Sequence, residues 1–309
     1  MSTSFARVGC VCVLASLAAV YPRHALAQTS AGHEHSTHGD RAQQVMPHTD
    51  AAIDSLLSIA RRASETFSDR SAALAAGYRR VGMDFPSMGE HWVNPALVLE
   101  ERFDVARPAI LTYTVVQGRP TLLGVVYAIP LAPGEKPPAA FGPEATWHEH
   151  NGSVEEESLL PEHHSMSMPS SGSGIRLAIL HAWVRAPNPD GVFAAENWAL
   201  PFLRVGLDVP VGFPKSAARA ISLLSGGDRY YRELAGESAN AAVGAALERC
   251  ADVASRVVRR AQARGQALGP ADLEELDGAW SAAVVEVRNA AGADVAKRIN
   301  GGILPGEMR

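Results

Sequence analysis

Cysteine is nearly absent: the 309 residues hold three. Cys10 and Cys12 lie inside an apolar N-terminal run, so only Cys250 falls in the body of the chain. A single thiol forms no intrachain disulfide, and folding must rest on a packed core. Cys250 itself sits in a helical pattern and reads as a small buried apolar residue. Basic charge is also short. The 28 Lys and Arg, less Arg7 and Arg23 of the N-terminal run, face 33 Asp and Glu. That balance argues against nucleic-acid binding, which would want a basic face. Long hydrophobic runs are lacking too. Val8 to Val20 is apolar but too short to span a bilayer, and no later segment is apolar enough to cross one. Several motifs are missing as well: no Gly-x-Ser-x-Gly, no phosphate loop, no dinucleotide fingerprint and no His-x-x-x-His zincin spacing. No nucleotide cofactor is expected, and no residue is assigned a catalytic role.

What is present begins with a leader. Arg7 supplies charge, Val8 to Val20 the apolar core, and Ala25-Leu26-Ala27 a small-x-small cleavage site. Residues 1–27 are therefore expected to be a signal peptide. The mature chain would start at Gln28 and be periplasmic or extracellular.

From Gln28 to about Thr49 the chain is polar and His-rich without apolar periodicity, so residues 28–49 are expected to be disordered. Asp50 reads as a helix N-cap, with Ile53, Leu56, Leu57 and Ala60 at helical spacing. A second helix is expected from Ser68 to Arg80. Residues 84–108, with Pro86, Pro95 and Pro108, read as irregular chain. Ile110 to Gln117 and Thr121 to Ile129 read as a β-hairpin turning at Gly118-Arg119-Pro120. Ile175 to Val184, apolar on both faces, reads as a central strand, and Trp198 to Val205 as a fourth. A polar insert at about 133–174 separates the hairpin from that strand. After Pro214 the chain turns Ala-rich. Val243, Leu247, Cys250, Ala254 and Val257 step by helical intervals, as do Leu273, Leu276, Trp280, Val284, Val287, Ala291 and Val295. Pro270 fits a first helical turn, and Gly301-Gly302 a stop. Two long helices joined by Gly265 to Pro270 make an αα-hairpin, which either packs on the sheet or offers a surface to a protein partner. The expected fold is α+β: a small, mainly antiparallel β-sheet flanked by N-terminal helices and a C-terminal αα-hairpin. The expected organisation is a core over 50–213 and a helical region over 214–309.

The chemistry gathers in histidine. Eleven are present, and they cluster. His33, His35 and His38, with Met46 and His48 behind, form a flexible run able to close around Zn²⁺ or Cu²⁺ without a preformed cavity. His163, His164, Met166 and Met168 stand in a polar loop where Met has no core to fill. Thioether suits Cu(I), and imidazole suits Cu(II) and Zn(II). The third set is His91 in Met-Gly-Glu-His-Trp, His148 and His150 in Trp-His-Glu-His, and His181 in Leu-His-Ala-Trp. His148 and His150 would share one face of a strand. His181 shares a face with Ile179 and Trp183, where a lone histidine is more often a satisfied core residue than a ligand. Convergence of His91 with His181 would favour a site, completed by Glu90 or Glu100. Asn188-Pro-Asp-Gly191 is turn chemistry, and Val192-Phe193 with Asn197 is expected to shape a pocket mouth.

Three stretches resemble a family of uncharacterised secreted bacterial and archaeal proteins. They are Ala75-Ala-Gly-Tyr78 with Met88-Gly-Glu-His-Trp-Val-Asn-Pro95, then Leu122-Leu-Gly-Val-Val-Tyr-Ala-Ile-Pro130, then Leu180-His-Ala-Trp-Val184 with Asn188-Pro-Asp-Gly-Val-Phe193. They span about 75 to 197. The resemblance implies a fold and a site rather than a reaction, with His91 and His181 as pattern positions. In that family an acidic residue often stands where this chain has Val126, which implies one metal ligand fewer here.

The sequence thus leads to an exported protein that binds metal, copper or zinc. The alternatives are a non-catalytic envelope or ligand-binding protein, and a metal-assisted secreted hydrolase with His91 and His181 as zinc ligands and an activated water.

Overall fold

A computed structural model describes residues 50–100, 102–132, 134–150 and 176–301. The expected leader and the segments that hold His33–His48 and His163–Met168 lie outside the described residues. Six strands form one antiparallel, curled sheet, and helices pack on it, so the fold is α+β.

Helix α1 covers Asp50–Glu65 and α2 covers Arg70–Ala75. The second helix stops well short of Arg80, for a local reason. Gly77 has φ +96°, and Tyr78 N–H donates back to Ala73 O at 3.0 Å, closing the helix with the reversal that glycine permits. The chain then enters β1 (Arg79–Phe85), turns through Pro86 to Met88, and returns as β2 (Gly89–Val93). The expectation of irregular chain from 84 is thereby corrected: His91 stands on a strand. Gly89 has φ +77°, and a Cβ there would lie 2.3 Å from Tyr113 O, so only glycine lets the turn close against the next strand. The short helix α3 (Pro95–Val98) follows. Its cap, Asn94, accepts from Ala96 N–H and donates to Ala76 O.

The hairpin is as expected in its strands, β3 (Ile110–Val116) and β4 (Arg119–Leu131), but its turn is Gln117-Gly118. Both turn residues have positive φ, 49° and 80°, which matches the twist of a two-residue hairpin turn. Pro120 lies within β4, opposite Val115. Strand β5 (His148–His150) lies inside the polar insert, and β6 (Arg176–Ala182) runs between β4 and β5, giving the order β1-β2-β3-β4-β6-β5. The insert also contributes Phe141, which is fully buried against Phe193, ring centroids 5.0 Å apart. Phe193 is therefore core, not the rim of a pocket.

Residues from Trp198 do not form a fourth strand. Leu200–Arg204 is helix α4, with Pro201 in its first turn, where the missing N–H costs nothing. Helices α5 (Lys215–Ser222), α6 (Gly227–Ala235), α7 (Ala241–Ala263), α8 (Pro270–Ala291) and α9 (Ala293–Gly301) complete the described chain. α7 and α8 are the expected αα-hairpin. Gly292 (φ +96°) ends α8, so Val295 belongs to α9. The buried stripe Val243, Leu247, Cys250, Ala254, Val257 of α7 meets Leu276, Trp280 and Val287 of α8. The same core takes in Met83, Phe85 and Met88 from the β1–β2 hairpin and Trp198 and Phe202. The other face of the sheet has its own core under α1, with Leu57, Tyr78, Trp92, Leu111, Tyr113, Val125, Tyr127 and Leu180. Among the described residues no helix is long and apolar enough to cross a membrane.

Candidate functional site

Residues directly opposite one another in adjacent strands point to the same face. The register sets His91 opposite Thr112, Thr112 opposite Gly124, Val126 opposite His181, and His148 opposite Ile179. His91, Thr112, Gly124, Val126, His181 and His148 therefore share one face, away from the core under α1.

The sheet's curvature then brings the rings together. From β2 to β6 is three strand steps, ~14 Å in a flat sheet at ~4.8 Å each. The His91 and His181 ring centroids are 5.6 Å apart, nearly perpendicular at 86°. His148 stacks on the other side of His181, centroids also 5.6 Å apart and 20° from parallel. The imidazoles of 91 and 181 meet across the curled face that Thr112 and Gly124 share. Gly124 is essential to that arrangement: a Cβ there would lie 2.4 Å from Ala182 O and 3.1 Å from Trp183 Cα. Aromatic rings wall the cluster. Phe85 lies 5.7 Å from His91, and Trp183 stacks on His181 at 5.7 Å. His181 is 3% exposed, and His91 and His148 are half-buried.

The site is held by polar ties around its edge. Arg176 forks onto Glu149 and so clips the three-residue β5 to β6. Trp183 Nε1 donates to Ala194 O at 2.6 Å, and its N–H to Val192 O at 2.9 Å. The Asn-Pro-Asp-Gly segment is the expected turn: Asp190 N–H donates to the Asn188 side chain, and Gly191 N–H to Asn188 O. Beyond it, Ser87 Oγ and Trp198 Nε1 each donate to Glu196 at 2.9 Å. Asn197 N–H donates to Ser87 O at 2.7 Å. Burial pushes the Glu196 carboxyl up, while the bonds from Trp198 and Ser87 and the charges of Lys215 and Arg219 pull it back. This network fastens the loop after β6 to the β1–β2 turn.

Neither proposed carboxylate completes the cluster. Glu90 lies on the opposite face from His91, where it pairs with Arg70 at 2.7 Å and accepts from Trp92 Nε1. Arg70 in turn lies over the Trp92 and Tyr113 rings. Glu100 forms a surface pair with Arg107 at 2.6 Å. His150 follows His148 on β5, opposite Leu177. Among the described residues, no three His, Cys, Asp or Glu side chains converge tightly enough to hold a metal ion as they stand. The pairwise approach is nevertheless close. An ion that holds two imidazole nitrogens at ~2.0–2.1 Å in a tetrahedral arrangement sets their centroids roughly 5 Å apart.

One group escaped the sequence reading. Thr112 is 1% exposed, and its hydroxyl has no hydrogen-bond partner. Its only signal in the sequence is a hydroxyl residue in a largely apolar strand, a signal it shares with Thr114. Compared with protein-family models, with curated proteins and with solved structures, the chain matches none.

Proposed function

We propose that this is a metal-binding protein for copper or zinc, with a core site built on His91 and His181 and with His148 beside it. The observation that supports the reading is the 5.6 Å approach of imidazoles from residues 91 and 181, which lie 90 residues apart on non-adjacent strands. Packing alone would fill a concave sheet face more cheaply with aliphatic side chains. A bound ion would draw the rings in by rotation about their side-chain torsions. Imidazole on two or three positions suits Zn²⁺ and Cu²⁺. The His-rich tail and the His/Met loop carry side chains suited to the same ions and would add capture sites in an exported chain.

The test is metal titration of residues 28–309 against three variants. One lacks residues 28–48, one carries Ala at 163, 164, 166 and 168, and one is His91→Ala combined with His181→Asn. The first two are expected to lower stoichiometry and leave one tight site. The double histidine variant is expected to weaken that site by at least tenfold. Because a proton competes for the imidazole nitrogen, acidification below pH ~6 should release the ion. A tight site untouched in the double variant would exclude the core, and loss of all binding with the tail and loop ligands would leave a scavenging chain with no core site.

A further inference from the structure

The break at Gly292 (φ +96°) folds α9 back along α8, and Trp280 Nε1 of α8 donates to Asn300 Oδ1 of α9 at 2.9 Å. Val287, Val295 and Ile299 are buried in the shared core. The two helices leave a cleft of about 290 Å³, lined by Val284 and Arg288 from α8 and by Ala293, Ala296, Lys297 and Asn300 from α9. Its chemistry is one-sided. The wall is aliphatic, from Val284, Ala293 and Ala296, with no aromatic ring on which a base or a sugar could stack. The free polar side-chain groups are all donors. Arg288 and Lys297 are exposed, and among the described residues their side chains have no ion pair or hydrogen bond. The acceptors are engaged: Asn300 Oδ1 by Trp280, and Gly301 O by Arg219 at 3.0 Å. That leaves the amide N–H groups of Asn300 as its open function. No carboxylate of the described residues lines the cleft. Arg288, in the last turn of α8, also suits the negative end of that helix. Lys297 has no such role, since it stands in the middle of α9.

We infer that the cleft between α8 and α9 binds a small aliphatic carboxylate, with its alkyl chain against Val284, Ala293 and Ala296 and its head group held by Arg288 and Lys297. The size fits: about 290 Å³ stands at the low end of ligand clefts, ~300–1,000 Å³. The planar fork of Arg288 matches a carboxylate in particular. The site shares no residue with the histidine cluster, so it stands or falls independently of the metal-binding reading.

The experiment is isothermal titration calorimetry of residues 28–309, without added metal, with sodium octanoate, and in parallel with octanol and inorganic phosphate. Saturable one-to-one octanoate binding is expected, with a Kd on the order of 0.1–1 mM for a ligand of this size. Octanol and phosphate should each bind at least about tenfold more weakly, since each lacks one half of the ligand. Arg288→Gln combined with Lys297→Gln is expected to weaken octanoate about tenfold or more, the scale of a lost charge-assisted hydrogen bond. Its melting temperature should match the parent, because neither side chain has a partner to lose. Ala293→Leu, at an exposed position on the wall, should fill the cleft and weaken octanoate by a similar factor. Octanoate that binds either variant as it binds the parent, or no saturation below about 10 mM, would overturn the inference. So would phosphate that binds as tightly as octanoate, the mark of a bare pair of cations. A parent that sediments as a dimer, with the double variant a monomer, would give the cleft to a second copy of the chain and overturn it as well.

Discussion

At the scale of single residues the account turns on what lies between two histidines. Gly124 is required because β6 runs against it. Gly124→Ala would drive a Cβ to within 2.4 Å of Ala182 O, and backbone must move to relieve it. A loss of roughly 2–3 kcal/mol is expected in urea unfolding, together with weaker metal uptake as His181 shifts. Val126 makes the complementary case. It is fully buried and directly opposite His181, so Val126→Asp would place a carboxylate beside that ring. Without metal the buried charge should cost about 3 kcal/mol. With Zn²⁺ the variant should recover, and its rise in melting temperature on adding Zn²⁺ should exceed that of the wild type. An equal rise in both proteins would show that position 126 does not face the ion.

At the scale of elements, the two long helices carry a pH-sensitive tie. Asp272, buried in the first turn of α8, accepts from Gly269 N–H at 2.9 Å and pairs with Arg260 and Arg264 of the α7 end. Burial alone would raise its carboxyl, but the Gly269 bond and the two guanidinium groups outweigh that and hold it below the usual range. A lowered carboxyl stabilises the fold above its unfolded value of ~3.9, and the benefit fades as pH falls through the lowered folded value. Asp272→Asn should therefore cost about 1–2 kcal/mol at pH 7, and the gap to wild type should close below pH ~3.

What was legible in the sequence follows the same division. The αα-hairpin, β3, β4 and β6 were readable because their apolar spacing repeats over many residues. The helix α4 was not, since five residues carry too little period to outvote the β-prone Trp198 to Val205. The hairpin of β1 and β2 was hidden by Pro86, Pro95 and a turn that needs positive φ at Gly89. The face shared by His148 and His181 could be read from strand alternation. The meeting of His91 with His181 could not, because it depends on sheet curvature and on the close backbone approach of β6 that Gly124 permits. Glu90 misled for a simple reason: one position along a strand exchanges faces.

For the molecule as a whole, one continuous core joins the β1–β2 hairpin to the C-terminal helices. Arg204 reinforces the joint. Its side chain is 3% exposed, reaches Asp84 at 2.6 Å, and donates to Phe85 O and Ser225 O. Burial pushes the Asp84 carboxyl up while Arg204 pulls it down, so the pair contributes mainly by satisfying both charges in place. Arg204→Met would leave Asp84 uncompensated and is expected to cost roughly 3 kcal/mol. Far-ultraviolet circular dichroism and tryptophan fluorescence should report a single coincident transition, displaced together in the variant, as a core shared by the β1–β2 hairpin and the C-terminal helices requires. Two separated transitions would show that the helical region folds independently of the sheet.

The most direct test of the proposed metal site is X-ray absorption at the metal edge, on protein that has the His and Met residues of the tail and loop replaced by Ala and one equivalent of Zn²⁺ added. The account predicts two or three imidazole nitrogens at ~2.0–2.1 Å with light oxygen ligands completing the shell. Failure to retain the ion, or a shell without imidazole, would contradict it.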